Sequence, residues 1–327
     1  MNDFNELHKI INDNSSFLIT THVNPDADGL GSQLALYYLL KLLKKKVYAI
    51  NHSETPYNLS FLDSNKVIQK FNIKEHSDVL NKVDVLIALD FNQSDRIVSM
   101  QKLFNESKAI KICIDHHQDP DGFADYYFGS VLYSATGEII YDFIDKTKII
   151  KIDNEIALQL YAAIMTDTGS FKYERTTYKT HLVAAELLKH NVDPQEVYEK
   201  IYNQNNLAKV RLLGEALDSI RLYADGKISY MSITQEMIEN TKAVESEIDG
   251  IVNFCMSIKG VRIGLLFVEL KNGMKISYRS KGTIPVNKLA AEFKGGGHTN
   301  AAGSRLFNTN YETEIQKILD SALKYLD

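Results

Sequence analysis

Cysteine is scarce in this 327-residue chain: Cys113 and Cys255 are too few for a disulfide framework or a Cys-rich zinc module. Five prolines and 17 glycines exclude a collagenous or linker-dominated chain. No apolar run approaches the roughly 20 residues that span a bilayer. The opening stretch, MNDFNELHKIINDNSSF, has no apolar core preceded by positive charge and so does not read as a secretory signal. Positive charge is not in excess, since 37 Lys and Arg face 42 Asp and Glu for a net charge of −5. A protein that wraps long duplex nucleic acid usually carries such an excess, because neutralised phosphates supply most of its affinity. A locally basic pocket for a small phosphorylated ligand stays open. What is present, 44% hydrophobic and 24% charged residues, suits a soluble globular protein of two domains. A reducing, cytoplasmic setting and no membrane partner are expected.

Short β-rich runs at Phe17–Thr20, Val47–Ile50, Val83–Leu89 and Ile110–Ile114 alternate with helical stretches at Gly31–Leu43, Gln93–Phe104 and Asn154–Met165. That alternation predicts an α/β fold with a parallel sheet and helices on both faces. Lys44, Lys45 and Lys46 read as cations closing a helix C-terminus. From Tyr178 to about Leu222 the pattern is helical, with Asp193-Pro194 as a helix start. A second strand-rich set follows at Lys227–Thr234, Val261–Leu270 and Met274–Arg279, with helices expected at Glu245–Met256 and Val286–Phe293. The division is therefore a larger N-terminal α/β domain over residues 1–185, a helical connector over 186–222 and a smaller C-terminal α/β domain over 223–327.

The segment TTHVNPDADGLGS, Thr20–Ser32, places His22, Asp26 and Asp28 on one strand-to-helix turn, with Gly29 and Gly31 permitting close approach. Two carboxylates and an imidazole suit Mn²⁺, Co²⁺, Fe²⁺ or Zn²⁺ better than calcium. On its own the turn reads equally well as a loop with Asp28 as a helix cap. Asp90, however, ends VDVLIALD; Asp115, His116 and His117 end IKICIDHH; and Asp167 follows LQLYAAIMT. All four are taken as strand-end positions, and in open parallel sheets such ends converge on one crevice. Carboxylates brought that close cannot all ionise uncompensated. A pair of divalent cations removes the conflict and can hold a bridging hydroxide against a phosphoryl group.

His22-x3-Asp26-x-Asp28, Asp90, Asp115-His116-His117 and Asp167 resemble the four motifs of the DHH phosphoesterase superfamily, in order along the first 170 residues or so. The resemblance implies a metal-dependent phosphoesterase with two divalent ions, Mn²⁺ foremost. His22 and Asp26 would hold one ion, Asp28, His116 and Asp167 the other, and Asp90 would bridge them. His117 would contact the substrate phosphate or protonate the leaving oxygen, and Asp115 would orient a neighbouring histidine. Arg96, in ALDFNQSDRI, matches an arginine common in the family, in contact with substrate or stabilising the site.

Near the far end, KGGGHTNAAG exposes backbone N–H groups at Gly295, Gly296 and Gly297. It is no Walker loop, since no Gly-Lys-Ser/Thr follows, and a glycine run alone is usually a tight turn. Together with His298 and Asn300 it is similar to the signature of the DHH-associated C-terminal domain, which binds the nucleotide part of substrates. Arg279-Ser280 matches the strand-end pair that precedes it in the NrnA-type group, and Arg279 can fork a phosphate where lysine cannot.

These resemblances imply hydrolysis of short RNA oligomers and 3′-phosphoadenosine 5′-phosphate (pAp). The expected partners are short single-stranded RNA or phosphorylated nucleotides, no long duplex, and at most a second copy of the chain as a homodimer. The competing readings are a cyclic-dinucleotide or pApA-type phosphodiesterase and, from another class, a non-catalytic nucleotide-binding protein; a RecJ-type exonuclease and a pyrophosphatase fit less well. Cys113 and Cys255 read as core thiols, Tyr37 and Tyr38 as helix packing, and Asp119, Asp121 and Asp125 as a solvated turn. Tyr173 and Arg175 follow Asp167 closely enough to line the site.

Overall fold

The structure is a computed structural model that describes residues 3–248 and 250–326, apart from the side chains of Ser246 and His298. The chain divides into two compact units, Met1–Gln204 and Asn205–Asp327.

The first unit holds strands β1 (Ser16–Thr21), β2 (Lys46–Asn51), β3 (Ile68–Lys70), β4 (Val85–Leu89), β5 (Ile110–Ile114) and β6 (Tyr126–Phe128). They form one sheet in the order β3-β2-β1-β4-β5-β6. Every pairing in it is parallel. The order reverses between β1 and β4, and beyond the carboxyl ends of such a pair lies the crevice where open α/β sheets build their sites. Its helices are α1 (Phe4–Asp13), α2 (Ala27–Leu42), α3 (Ile73–Lys82), α4 (Gln101–Glu106), α5 (Thr136–Thr147), α6 (Asn154–Asp167), α7 (Tyr178–Leu188) and α8 (Pro194–Tyr202). Alternate strand residues serve opposite faces. Phe17, Ile19, Val85 and Ile87 pack with α1, α2, α5 and α6. Leu18, Leu86, Ala88 and Cys113 pack with Leu80 of α3 and Phe104 of α4. Helix α2 is buried on nearly every side, as its lack of a polar face requires.

Small residues let three helices meet. A Cβ on Gly31 of α2 would lie 2.5 Å from the Gln159 carbonyl oxygen of α6, and one on Gly137 of α5 would lie 2.6 Å from the Cβ of Ala163. The result is that α2, α5 and α6 bring their site-bearing ends together.

The second unit contains α9 (Leu207–Asp218), β7 (Arg221–Tyr223), β8 (Ile228–Ile233), α10 (Gln235–Thr241), β9 (Ile263–Leu270), β10 (Gly273–Ser280), α11 (Val286–Glu292), β11 (Gly296–His298), β12 (Ala301–Phe307) and α12 (Tyr311–Leu323). Its sheet runs β11-β12-β10-β9-β8-β7. The β8–β9 pair is parallel and the others are antiparallel. One face is covered by α11 and α12, the other by α9 and a 3₁₀ segment at Ile251–Ser257.

The α/β reading holds, with differences in detail. The helix expected from Gly31 begins at Ala27, because Asp26 caps it by accepting from the N–H groups of Asp28 and Gly29. The helix expected over Gln93–Phe104 is a 3₁₀ segment, Ser94–Met100, kinked at Val98 (φ 41°) and followed by α4. That expected over Glu245–Met256 is two 3₁₀ pieces around Gly250, whose φ of 89° breaks a helix. The helical stretch after Tyr178 is three helices and stops at Asp218, before β7.

Candidate metal centre and active site

The site starts where β1 and β4 end. The Thr21 hydroxyl donates to the Leu89 carbonyl at 2.9 Å, tying the two strand ends together. His22 follows β1, and its loop is pinned by the Val23 N–H donating to the Arg96 carbonyl at 2.7 Å. Asp90 follows β4 in the left-handed region (φ 63°), tolerated by Asp, with its N–H on the Ile114 carbonyl. Asp115 and His116 follow β5. Asp167 does not leave a strand at all: it is the last residue of α6, so the expectation of four strand ends is corrected to three strand ends and one helix end.

These side chains converge in two separate groups, His22–Asp26–Asp90 and Asp28–His116–Asp167, each offering ligand atoms within 4.8 Å of one another; a third set, Asp90–His116–His117, draws on both and brings in His117. His22 Nε2 is 3.9 Å from Asp26 and 3.4 Å from Asp90 Oδ2. His116 Nε2 is 3.8 Å from Asp28, 3.5 Å from Asp90 Oδ1 and 3.4 Å from Asp167. Asp90 thus turns one oxygen to each group. The other ring nitrogens face backbone carbonyls: His22 Nδ1 lies 3.0 Å from Val23 O and His116 Nδ1 3.4 Å from Tyr133 O. A ligand imidazole would keep its proton on Nδ1 and give the Nε2 lone pair to an ion, so it is the Nε2 edge of each ring that faces the carboxylates.

Charge in this pocket is poorly balanced. Burial, then Asp90, Asp167 and Asp26, push Asp28 well above the carboxylate range. Asp167 is pushed up to about 6 by burial, against the pull of His116. Burial opposes the charged forms of Asp90 and His22 as well, but their contacts win: His116 and His22 hold Asp90 low, and Asp26 and Asp90 push His22 up to about 10. Protons therefore stand in for positive charge. A mixed oxygen and imidazole donor set of this kind fits divalent transition ions.

His117 is built differently. Its Nδ1 lies 2.7 Å from Asp115 Oδ1, its N–H donates to Asp115 Oδ2 at 2.9 Å, and its side chain is half-exposed. Asp115 thereby fixes the ring and leaves Nε2 available. His117 Nδ1 also comes within 4.0 Å of Asp90 Oδ1, at the margin of the cluster.

The sequence reading missed the groups that hold Asp28. At the N-terminus of α5 the N–H groups of Thr136 and Gly137 donate to its two oxygens at 2.7 and 2.9 Å, and the Ser32 hydroxyl donates at 3.2 Å. The Thr136 hydroxyl donates to Asp90 Oδ1 at 2.9 Å. Nothing ionisable marks Thr136-Gly137, so only the helix start could have signalled them. Asp121 and Asp125 are not merely solvated: Asp121 accepts from the Ser94 N–H at 2.7 Å and Asp125 from the Lys111 N–H at 2.8 Å.

In the second unit, Arg279 and Ser280 end β10. Arg279 donates to the Tyr278 carbonyl at 2.9 Å. Ser280 and Asn300 are tied to each other: the Asn300 amide donates to Ser280 Oγ at 2.9 Å and to the Gly282 carbonyl at 2.8 Å, while Ser280 Oγ donates to Ile284 O at 2.7 Å. Of the three glycines, two serve the β11–β12 hairpin. A Cβ on Gly295 would lie 2.3 Å from the Gly303 carbonyl oxygen and one on Gly297 2.5 Å from that of Ala301, whereas nothing lies within 4 Å at Gly296. The His298 side chain is outside the described residues. Arg96 is exposed on its side-chain end and holds the His22 loop through its backbone. Both cysteines are buried free thiols.

The family model described as DHH family, N-terminal domain, matches residues 16–164, and the DHHA1 domain matches 228–326. With the site above, these define a hydrolase of the phosphoesterase class. The chain is 28% identical over 323 residues to the protein named bifunctional oligoribonuclease and PAP phosphatase NrnA from Bacillus subtilis, covering 98% of each. It superimposes with a TM-score of 0.91 and 31% identity on an exopolyphosphatase-related protein from Bacteroides fragilis, covering 98% of this chain and 95% of that one. RecJ from Thermus thermophilus, crystallised with Mn²⁺, shares the fold at a TM-score of 0.55 and 12% identity, covering 99% of this chain and 54% of that one. The chain belongs to the DHH family and carries a DHHA1 domain. Among the described residues no helix is long and apolar enough to cross a membrane.

Proposed function

We propose that this protein hydrolyses short single-stranded RNA oligomers and pAp with two divalent ions, Mn²⁺ foremost, in the cytoplasm. The observation that carries the reading is the pairing of His22–Asp26–Asp90 with Asp28–His116–Asp167 around one shared carboxylate. The relative's name, which joins an oligoribonuclease to a PAP phosphatase, supplies the substrates.

His22 and Asp26 would hold one ion, Asp28, His116 and Asp167 the other, and Asp90 would serve both. Ions there would neutralise phosphoryl oxygens and lower the pKa of water to supply a nucleophile. The protein's own groups do the rest. The α5 N-terminus fixes both Asp28 oxygens and so sets the angle of that carboxylate. His117, steered by Asp115, directs Nε2 at the phosphate or gives its proton to the departing oxygen, a contribution of typically 10²–10⁴-fold. Arg279, with Ser280, Gly296, His298 and Asn300, recognises the nucleotide; Arg96 serves by holding the His22 loop. Buried, unpaired thiols accord with a reducing compartment.

The test is turnover of a labelled dinucleotide and of pAp with Mn²⁺, beside cyclic-di-AMP, pyrophosphate and a long single strand. Hydrolysis of the first two, lost in Asp90→Ala, is expected. Turnover confined to the other three, or undiminished in Asp90→Ala, contradicts the reading.

A further inference from the structure

Directly after Asp167 the chain makes a turn of the disfavoured hand. Gly169, Ser170 and Phe171 have φ values of 56°, 60° and 65° in succession. Two of these carry a Cβ and are strained there. The turn is held by its surroundings. Thr168 accepts backbone bonds from Lys172 and Tyr173, its hydroxyl accepts from the Phe171 N–H at 3.0 Å, and the Phe171 ring stacks on His181 at 5.4 Å. Strain maintained by so many ties clusters at functional sites.

What the turn displays is an aromatic and a cation beside the metal cluster. The Tyr173 ring lies flat on Gly169, where any Cβ would come within 2.4 Å of it, and it is still 57% exposed. Burial holds the Tyr202 hydroxyl above its ordinary range, and Tyr173, Tyr198 and Asp26 add to that push. Tyr198 and Tyr202 of α8 pack at 4.9 Å and remain 42% and 37% exposed. Tyr173, Tyr198 and Tyr202 thus keep partly exposed rings on the first unit. The exposed Arg175 places Nη1 3.4 Å from His116 Nδ1. Among the described residues that guanidinium has no carboxylate within 4.0 Å, although carboxylates crowd the far side of His116.

We propose that Tyr173, backed by Tyr202 and Tyr198, and Arg175 form a second-nucleotide subsite on the first unit: a nucleobase stacks on the tyrosine face while Arg175 forks its phosphate. The subsite rests on the phosphodiesterase reading above and goes beyond it, because it assigns the base that an RNA dinucleotide has and pAp lacks. Every base has a π-face, so such a platform serves short RNA of any sequence. A planar guanidinium suits the phosphate because it donates in a fork.

The experiment compares kcat/KM for a 5′-phosphorylated dinucleotide with that for pAp under Mn²⁺. The ratio should fall about tenfold or more in Tyr173→Ala and in Arg175→Ala, the range of one lost stacking or phosphate contact, and stay within about twofold in Tyr173→Phe. Tyr173→Leu keeps apolar cover on Gly169 and should behave as Tyr173→Ala, which separates stacking from loop collapse. A 2-aminopurine dinucleotide bound in EDTA, where nothing turns over, should be quenched by wild type and not by Tyr173→Ala. Equal quenching in both, no quenching in wild type, or a ratio unmoved by Tyr173→Ala and Tyr173→Leu overturns the subsite. Wild type that hydrolyses both substrates with an unmoved ratio overturns the subsite alone; wild type that hydrolyses neither takes the functional reading down with it.

Discussion

Gly137→Ala probes how α5 serves the proposed metal centre. The added methyl would come 2.6 Å from Ala163 Cβ, inside contact distance, and 3.5 Å from Asp28 Oδ1. Neither neighbour is the end of a flexible chain, so α5 must move away from α6, and the Gly137 N–H, now 2.9 Å from Asp28, moves with it. Overpacking costs about 1–3 kcal/mol, and a weakened bond to a charged group about 1.5–3 kcal/mol. The better helix propensity of alanine returns up to about 1 kcal/mol, leaving a net loss of about 1.5–6 kcal/mol. For a unit of this size that lowers the melting temperature by about 3–24 °C. Displacing a group that orients a metal ligand should also weaken Mn²⁺ binding about 10–100-fold. Gly214→Ala on α9, where nothing lies within 4 Å, is the matched control, expected to gain about 0.4–1 kcal/mol. Calorimetric melting and Mn²⁺ titration read both quantities. A Gly137→Ala protein that melts and binds Mn²⁺ like wild type refutes the reasoning.

Three further outcomes follow from the same geometry. His22, with its pKa pushed up to about 10, is protonated near pH 7 without metal and must lose that proton to bind. Mn²⁺ binding should therefore release at least one proton per chain at pH 7 and tighten as pH rises toward 10; titration in buffers of different ionisation enthalpy counts the protons, and none released would contradict the assignment. The same shift stabilises the metal-free fold fully below about pH 6.5 and fades as pH climbs through 10. Asp115→Asn should lower kcat about 10²-fold or more with little change in Mn²⁺ affinity, because it frees His117 and leaves the ligands in place; a selective loss of Mn²⁺ affinity would place Asp115 in the wrong role. Gly295→Ala should destabilise the second unit by about 1–3 kcal/mol through its clash with Gly303, while Gly296→Ala should fold normally; equal melting of the two variants would show the hairpin tolerates both.

The most legible parts of the site were charged residues set against apolar sequence. Asp90 after VDVLIAL and Asp115-His116 after IKICI are conspicuous because a strand buried on both faces admits nothing ionisable until it ends. Asp167 was legible as a member of the cluster but not as to its origin, since the buried helix α6 is as continuously apolar as a strand. Thr136 and Gly137 were hidden because they act through backbone N–H groups, which no side chain advertises. The two helices that became 3₁₀ segments failed at Val98 and Gly250, where one left-handed residue, invisible to periodicity, reset the path. In KGGGH the run of glycines marked a special backbone, but sequence alone could not distinguish the two that pack the hairpin from the open Gly296.

The most direct measurement is anomalous diffraction at the manganese edge from Mn²⁺-soaked crystals. Two peaks are expected, one among His22, Asp26 and Asp90 and one among Asp28, His116 and Asp167, with Asp90 touching both. A single peak elsewhere, or none at saturating Mn²⁺, contradicts the account.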